Sequence, residues 1–116
     1  MAFSLVWDAQ AAATYKELEE SARKSVERRT KSGKTKASKA EGLFKQVQKC
    51  IRFLGNDPRH PSLETHEFKS LVNPYDPKGK VFEAYAQQKT PGAYRVFWCY
   101  GPDREQITII AITAHP

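Results

Sequence analysis

The chain has 116 residues, 40% hydrophobic and 28% charged, which is the composition of a single small globular domain spanning 1–116. Its apolar stretches, such as residues 109–112, are strand-sized, so a transmembrane helix is excluded and no membrane partner is expected. The net charge is +6, and twelve of the nineteen basic residues fall between Arg23 and Arg59, where only Glu27, Glu41 and Asp57 oppose them. That local excess of +9 sits on a nearly neutral remainder. A concentrated basic stretch is the electrostatic footprint of a polyanion binder, and also of a well-solvated helical hairpin.

Residues 2–7 alternate Phe3, Leu5 and Trp7 with Ser4, which predicts a first strand. They lack the basic and apolar regions of a signal peptide, and a cytoplasmic location is expected. Asp8 is a good N-cap. Beyond it Trp7, Ala11, Tyr15, Leu18, Ala22 and Val26 step by three or four, predicting a helix over about 9–29. Residues 30–39 carry no large apolar side chain and are expected to be exposed and mobile. Their Gly33-Lys34-Thr35 lacks the upstream glycine and the strand of a phosphate loop.

Leu43, Phe44, Val47, Cys50, Ile51 and Leu54 predict a second helix over about 40–54. A left-handed cap is expected at Gly55-Asn56, and Pro58 bars continuation. After Pro61 the period changes. A short extended piece is expected within 63–72, then strands at 80–87, 94–100 and 106–113 joined by Pro- and Gly-rich turns. The economical packing is α+β: one antiparallel-rich sheet with a two-helix hairpin on one face.

Side chains alternate along strands. If odd residues pair with odd, Glu83, Tyr85, Arg95 and His115 share one face, and Phe82, Tyr94, Val96, Trp98, Ile110 and Ile112 face the helices. Arg95 is the residue a purely structural apolar strand would least choose. It meets either an ion-pair partner such as Glu83 or a ligand phosphate. The expected phenotype of Arg95→Ala is a folded, inactive protein. His60 and His66, in the Pro-bounded segment after Arg59, suit the lining of a cleft better than a metal site. Cys50 and Cys99 are too few for a disulfide framework and lie at no zinc-ligand spacing, so no metal or cofactor is expected.

The run Asn56-Asp57-Pro58-Arg59-His60-Pro61-Ser62-Leu63 with His66 and Phe68, the strand Tyr94-Arg95-Val96-Phe97-Trp98, and Ile107 to Ile112 ending at His115 resemble the RelE/ParE superfamily of bacterial toxins. The resemblance implies a RelE-like β-α-α-β-β-β fold. It implies a ribosome-dependent mRNA endonuclease in the RelE-like branch, or a non-catalytic DNA gyrase inhibitor in the ParE-like branch. It also implies a cognate antitoxin as partner. In the nuclease branch Arg95 corresponds to the phosphate-stabilising arginine and His115 to a near-terminal histidine. Glu83 and Tyr85 fall where the best-known members carry lysines, and other members use a glutamate and histidine pair. Glu83 is then the candidate base and Tyr85 a stacking platform or proton donor. Arg28, Arg29, Lys31, Lys34, Lys36, Lys39, Arg59, His60 and His66 are candidates to hold RNA phosphates.

Overall fold

The computed structural model describes residues 2–88 and 91–114. The order is β1 (Ser4–Trp7), α1 (Ala9–Lys31), α2 (Lys39–Asn56), a 3-10 turn (Pro61–Leu63), β2 (His66–Glu67), β3 (Phe82–Tyr85), β4 (Tyr94–Tyr100) and β5 (Gln106–Ala114). The strands form one sheet in the order β1-β5-β4-β3-β2. The β1–β5 pair is parallel and the other pairs are antiparallel. The expected α+β architecture is therefore present.

The helices cover one sheet face. Val47, Cys50, Ile51 and Leu54 of α2 form a core with Ala11 of α1 and with Phe82, Ala84, Val96, Trp98, Ile107, Ile109 and Ile112 of the sheet. Tyr15 bridges the layers, standing edge-on to Trp7 of β1 at 5.0 Å and to Phe44 of α2 at 5.4 Å. Burial pushes the Cys50 thiol up to about 12 and the Cys99 thiol up to about 11, so both are inert packing groups.

Three expectations need correction here. The cap at Gly55-Asn56 is not left-handed: α2 runs on to Asn56 and ends at extended Asp57, φ −158°. The Gly55 carbonyl is satisfied instead by the Phe3 N–H at 2.6 Å, which ties β1 to α2. Pairing of odd with odd fails halfway along β5. Phe97 faces Ala111 but Trp98 faces Ile109, leaving Ile110 as a β-bulge. Ile107 and Ile109 therefore join the helix side, and Ile110 is only half-buried. Val26, placed on the apolar stripe of α1, is 39% exposed. It lies beyond the end of the apolar core.

That end matters. The helical hairpin outruns the sheet, and the molecule measures 52 × 26 × 25 Å. Its radius of gyration of 15.1 Å exceeds the roughly 13 Å of a compact chain of this length. Helix extends at both ends of the basic segment, leaving a connection of only residues 32–38, all but Ser38 exposed. Polar contacts hold the outer part together. Ser38 and Glu41 make a reciprocal capping box at 3.3 Å in each direction. Arg29 donates to Glu41 at 2.8 Å, and the Ser25 hydroxyl lies 2.5 Å from that of Ser38 and 3.0 Å from Glu41. Burial opposes ionisation of Glu41, but Arg29, Ser38 and Ser25 outweigh it and hold its carboxyl below the ordinary range.

The folded carboxyl is thus the stronger acid. Its stabilisation is complete above the unfolded value near 4.5 and vanishes as pH falls through the lower folded value. Urea unfolding of Glu41→Gln should show a loss at pH 7 that shrinks as the pH falls below 4.5. An equal loss at both ends of the range would mean that the charge contributes nothing.

Residues 68–80 form an irregular segment that turns on Asn73. Its Oδ1 accepts from the Tyr75 and Asp76 N–H groups, and its Nδ2 donates to the Lys80 carbonyl. A Cβ on Gly79 would lie 2.7 Å from Asn73 Nδ2 and 3.1 Å from the Asp76 carbonyl. Gly79→Ala should therefore cost about 1–3 kcal/mol in chemical denaturation.

Candidate active site

The second sheet face carries polar residues, and it is not open along its whole length as alternation alone suggests. Phe68 packs on Phe97 at 4.7 Å. Thr108 donates to the Gly101 carbonyl at 3.0 Å, so at the 2.7 Å contact the Tyr75 hydroxyl is the donor to Thr108. These contacts roof the half of the face that contains Phe97, Cys99 and Thr108.

The titratable residues gather at the other half. Tyr85 pairs with Arg95 directly across β3 and β4, and His66 of β2 pairs with Glu83. The grouping of Glu83, Tyr85 and Arg95 expected from alternation is present. His115 lies outside the described residues. Sequence reasoning had assigned His66 to the cleft-lining loop, with no link to Glu83. A two-residue strand has no readable period; the only clue was its nearness to the Pro-bounded loop.

Glu83 is 2% exposed, deep enough that its carboxylate must be met by cations or donors. His66 Nε2 lies 2.6 Å from Oε1, and Arg95 Nε lies 3.8 Å from Oε2. His66 Nδ1 is 3.1 Å from the Glu64 carbonyl. A carbonyl only accepts, so Nδ1 carries a proton. The contact between Nε2 and the carboxylate then needs a second proton, held by His66 or by Glu83. The result is a histidine–carboxylate dyad with one member buried and the other 47% exposed.

Arg95 is 8% exposed. Its guanidinium stacks on the Tyr85 ring, 3.7 Å from the centroid, and Nη1 donates to the Gln87 carbonyl at 2.9 Å. The His66 ring stands edge-on to Tyr85 at 5.6 Å. Tyr85 is the common wall between the two cationic groups. It also lines a groove of about 350 Å³ with Gln46, Lys49, Phe53, Ser62 and Gln87. His60 stacks on Phe53 at 4.5 Å and so borders that groove rather than the dyad. Arg59 lies over the Phe82 ring, 5.6 Å from its centroid.

Comparison with solved structures gives matches along nearly the whole chain. A YoeB/ParE toxin from Agrobacterium tumefaciens is 12% identical with a TM-score of 0.60, covering 97% of this chain and 99% of that one. The YoeB dimer from Staphylococcus aureus gives 12%, 0.57 and full coverage of both chains. An archaeal RelE-RelB complex from Pyrococcus horikoshii gives 10% and 0.55, covering 98% of this chain and 96% of that one. The fold is that of the RelE/ParE toxins. No family model and no curated protein matches the sequence.

Within this RelE/ParE fold the dyad and Arg95 lie on the sheet face opposite the helical hairpin. Of the phosphate-holding candidates His66 belongs to the dyad, and the six of the hairpin do not converge on it. Arg28, Arg29, Lys31, Lys34, Lys36 and Lys39 lie on the outer hairpin, at the ends of α1 and α2 and the connection between them. Arg29 is consumed by Glu41.

Burial sets the cost of mutating the site. Arg95→Ala removes the cation beside a buried carboxylate and should destabilise the domain by about 3 kcal/mol in urea unfolding. The expected folded, inactive phenotype for that variant holds where the domain's stability exceeds that loss. His66→Ala should cost no more than about 1 kcal/mol, because water can enter beside Glu83 from the exposed side.

Proposed function

We propose that the protein is the toxin of a toxin–antitoxin pair and acts as a metal-independent endoribonuclease on mRNA at the ribosome. The observation that carries this reading is the His66–Glu83 dyad beside Arg95, on a fold shared with YoeB and RelE structures. In the proposed reaction the RNA 2′-OH attacks the adjacent phosphorus. The bond from phosphorus to the 5′-oxygen breaks, leaving a 2′,3′-cyclic phosphate and a 5′-hydroxyl. His66 gives the proton on Nδ1 to the departing 5′-oxygen, which takes the place of the Glu64 carbonyl, and the 2′-OH proton passes to His115. Glu83 orients the ring through Nε2 and balances its charge. Arg95 lies where a cation can offset charge developing on the phosphate, with Tyr85 holding its guanidinium in plane. His115 is retained as a second acid or base on the strength of the sequence resemblance.

The cognate antitoxin would cover apolar surface with an amphipathic segment. A shallow groove of about 480 Å³ lined by Trp7, Ala12, Ala13, Tyr15 and Lys16 offers such a surface. No helix is long and apolar enough to cross a membrane among the described residues, and a cytoplasmic site of action fits the ribosomal target.

Induced synthesis of the protein should arrest growth, and lysates should show new 5′-hydroxyl ends in mRNA. His66→Ala should lower the cleavage rate on programmed ribosomes by about 10²–10⁴ while the melting temperature stays within a few degrees. Arrest by His66→Ala with intact mRNA and impaired DNA supercoiling would overturn the nuclease reading in favour of gyrase inhibition.

A further inference from the structure

Gln87 stands just past the end of β3 and joins it to both β4 and α2. Its N–H and that of Ala86 both donate to the Tyr94 carbonyl, at 3.1 and 3.2 Å. Two consecutive donors on one carbonyl are the pattern of a β-bulge, in which two residues of one strand oppose a single residue of the next. A regular ladder would give the Tyr94 N–H to a backbone carbonyl. Here the Gln87 side chain meets it instead, with Oε1 accepting at 3.1 Å. A backbone N–H only donates, so the amide can stand only one way round. Its Nε2 then points to α2 and donates to Gln46 Oε1 at 2.9 Å.

The bulge turns the Gln87 carbonyl toward Arg95, whose Nη1 donates to it at 2.9 Å. The contact of Nη1 with the Tyr94 carbonyl is longer, 3.4 Å. Arg95 Nε is buried without a hydrogen bond, 3.8 Å from Glu83 Oε2. The Tyr85 ring, 3.7 Å from the guanidinium carbon, sets the plane of the group. A ring face has no directional acceptor, so it does not set the angle of the group within that plane. The Gln87 carbonyl is the shortest directional contact on the guanidinium, and it supplies that angle. With Nη1 engaged and Nε buried, Nη2 is left for a phosphate oxygen.

We infer that Gln87 is a positioning residue for the cleavage reaction. Its side chain, held between the Tyr94 N–H and Gln46, locks the bulge, and the bulge keeps its carbonyl on Arg95 Nη1 so that Nη2 faces the phosphate. The inference rests on the reading of Arg95 as the group that offsets charge on the phosphate. Gln87 touches no reacting atom and acts through the guanidinium alone. Gln46 carries the constraint outward to α2, so the helix that builds the core also sets the angle of the arginine. A side chain that merely closed the turn from β3 to β4 would affect stability and leave the guanidinium as it is.

The test compares wild type with Gln87→Met and Gln87→Glu, with melting temperatures as the folding control. Methionine keeps the length of the side chain and removes both amide contacts. Glutamate keeps an acceptor for the Tyr94 N–H, and the exposed Gln46 amide can turn to donate to it. Nitrogen NMR of the arginine side chains reads the exchange of Nη1 with Nη2 about the Nε–Cζ bond, which a hydrogen bond to Nη1 slows. That exchange at Arg95 should be about tenfold faster in Gln87→Met than in wild type. On programmed ribosomes its kcat should fall by about 10²-fold, with KM changed less than about twofold. Gln87→Glu should keep the wild-type exchange and cleave at least about tenfold faster than Gln87→Met. Unchanged exchange in a folded Gln87→Met would overturn the inference, as would a loss confined to KM or equal losses in the two variants. If Gln87→Met does not fold, Gln46→Met removes the link to α2 from an exposed position. It should show faster exchange and lower kcat, and no change in either would overturn the inference. Absence of cleavage by the wild type would end the nuclease reading, while the arginine signals would still decide whether Gln87 holds Arg95.

Discussion

The organising constraint is a carboxylate placed where water cannot reach it. Glu83 sits on the penultimate strand of the sheet, 2% exposed, and an ionised group at that depth is tolerated only if its surroundings are built for it. The two-residue strand β2 brings His66 into register with it, and β4 brings Arg95 alongside. Tyr85 and the Gln87 carbonyl hold the guanidinium that would otherwise be unsupported. The polar chemistry of the domain is therefore the set of groups required to keep one acid in the sheet.

The two faces of the sheet divide the work. The helix side supplies burial, with α2 lying over β4 and α1 over β5. The opposite side is split along its length. One half is sealed by Phe68, Tyr75 and the Asn73 turn, while the dyad half reaches solvent through His66. Sealing one half lowers the local polarity beside Glu83 without closing off the imidazole. Stability and reactivity are in this way assigned to neighbouring stretches of the same strands.

Much of this was legible from the residues. The periods of α2, β4 and β5 located their elements within two residues, and simple alternation put Glu83, Tyr85 and Arg95 together. Four things were not legible. β2 is too short to show a period, so the role of His66 was hidden. The roof over Phe97 and Thr108 comes from an irregular segment, whose packing has no repeating signature. Gly55 looked like a helix terminator, yet its carbonyl found a partner in Phe3, far away in sequence. The inversion of faces along β5 depends on one inserted residue in a run of Ile and Thr broken only by Ala111, where every neighbour looks equally suited to the core.

That inserted residue, Ile110, has a consequence for how the domain tolerates changes of length. Pairing is regular on either side of it: Ile109 opposes Trp98, and Ala111 opposes Phe97. Removing Ile110 would leave every other side chain of β5 on the face it now occupies, and Ile110 could replace Ile109 or Ala111 if either were removed, whereas a deletion farther along would carry part of the strand to the wrong side. The bulge also lies where β1 ends and the chain turns into α1, with the Asp8 N–H bonded to the Ile109 carbonyl. The bulge is thus the strand's one spare position. Its loss would straighten the far end of β5 and change the curvature of the sheet beneath the dyad, a shape change without a change in composition of either face.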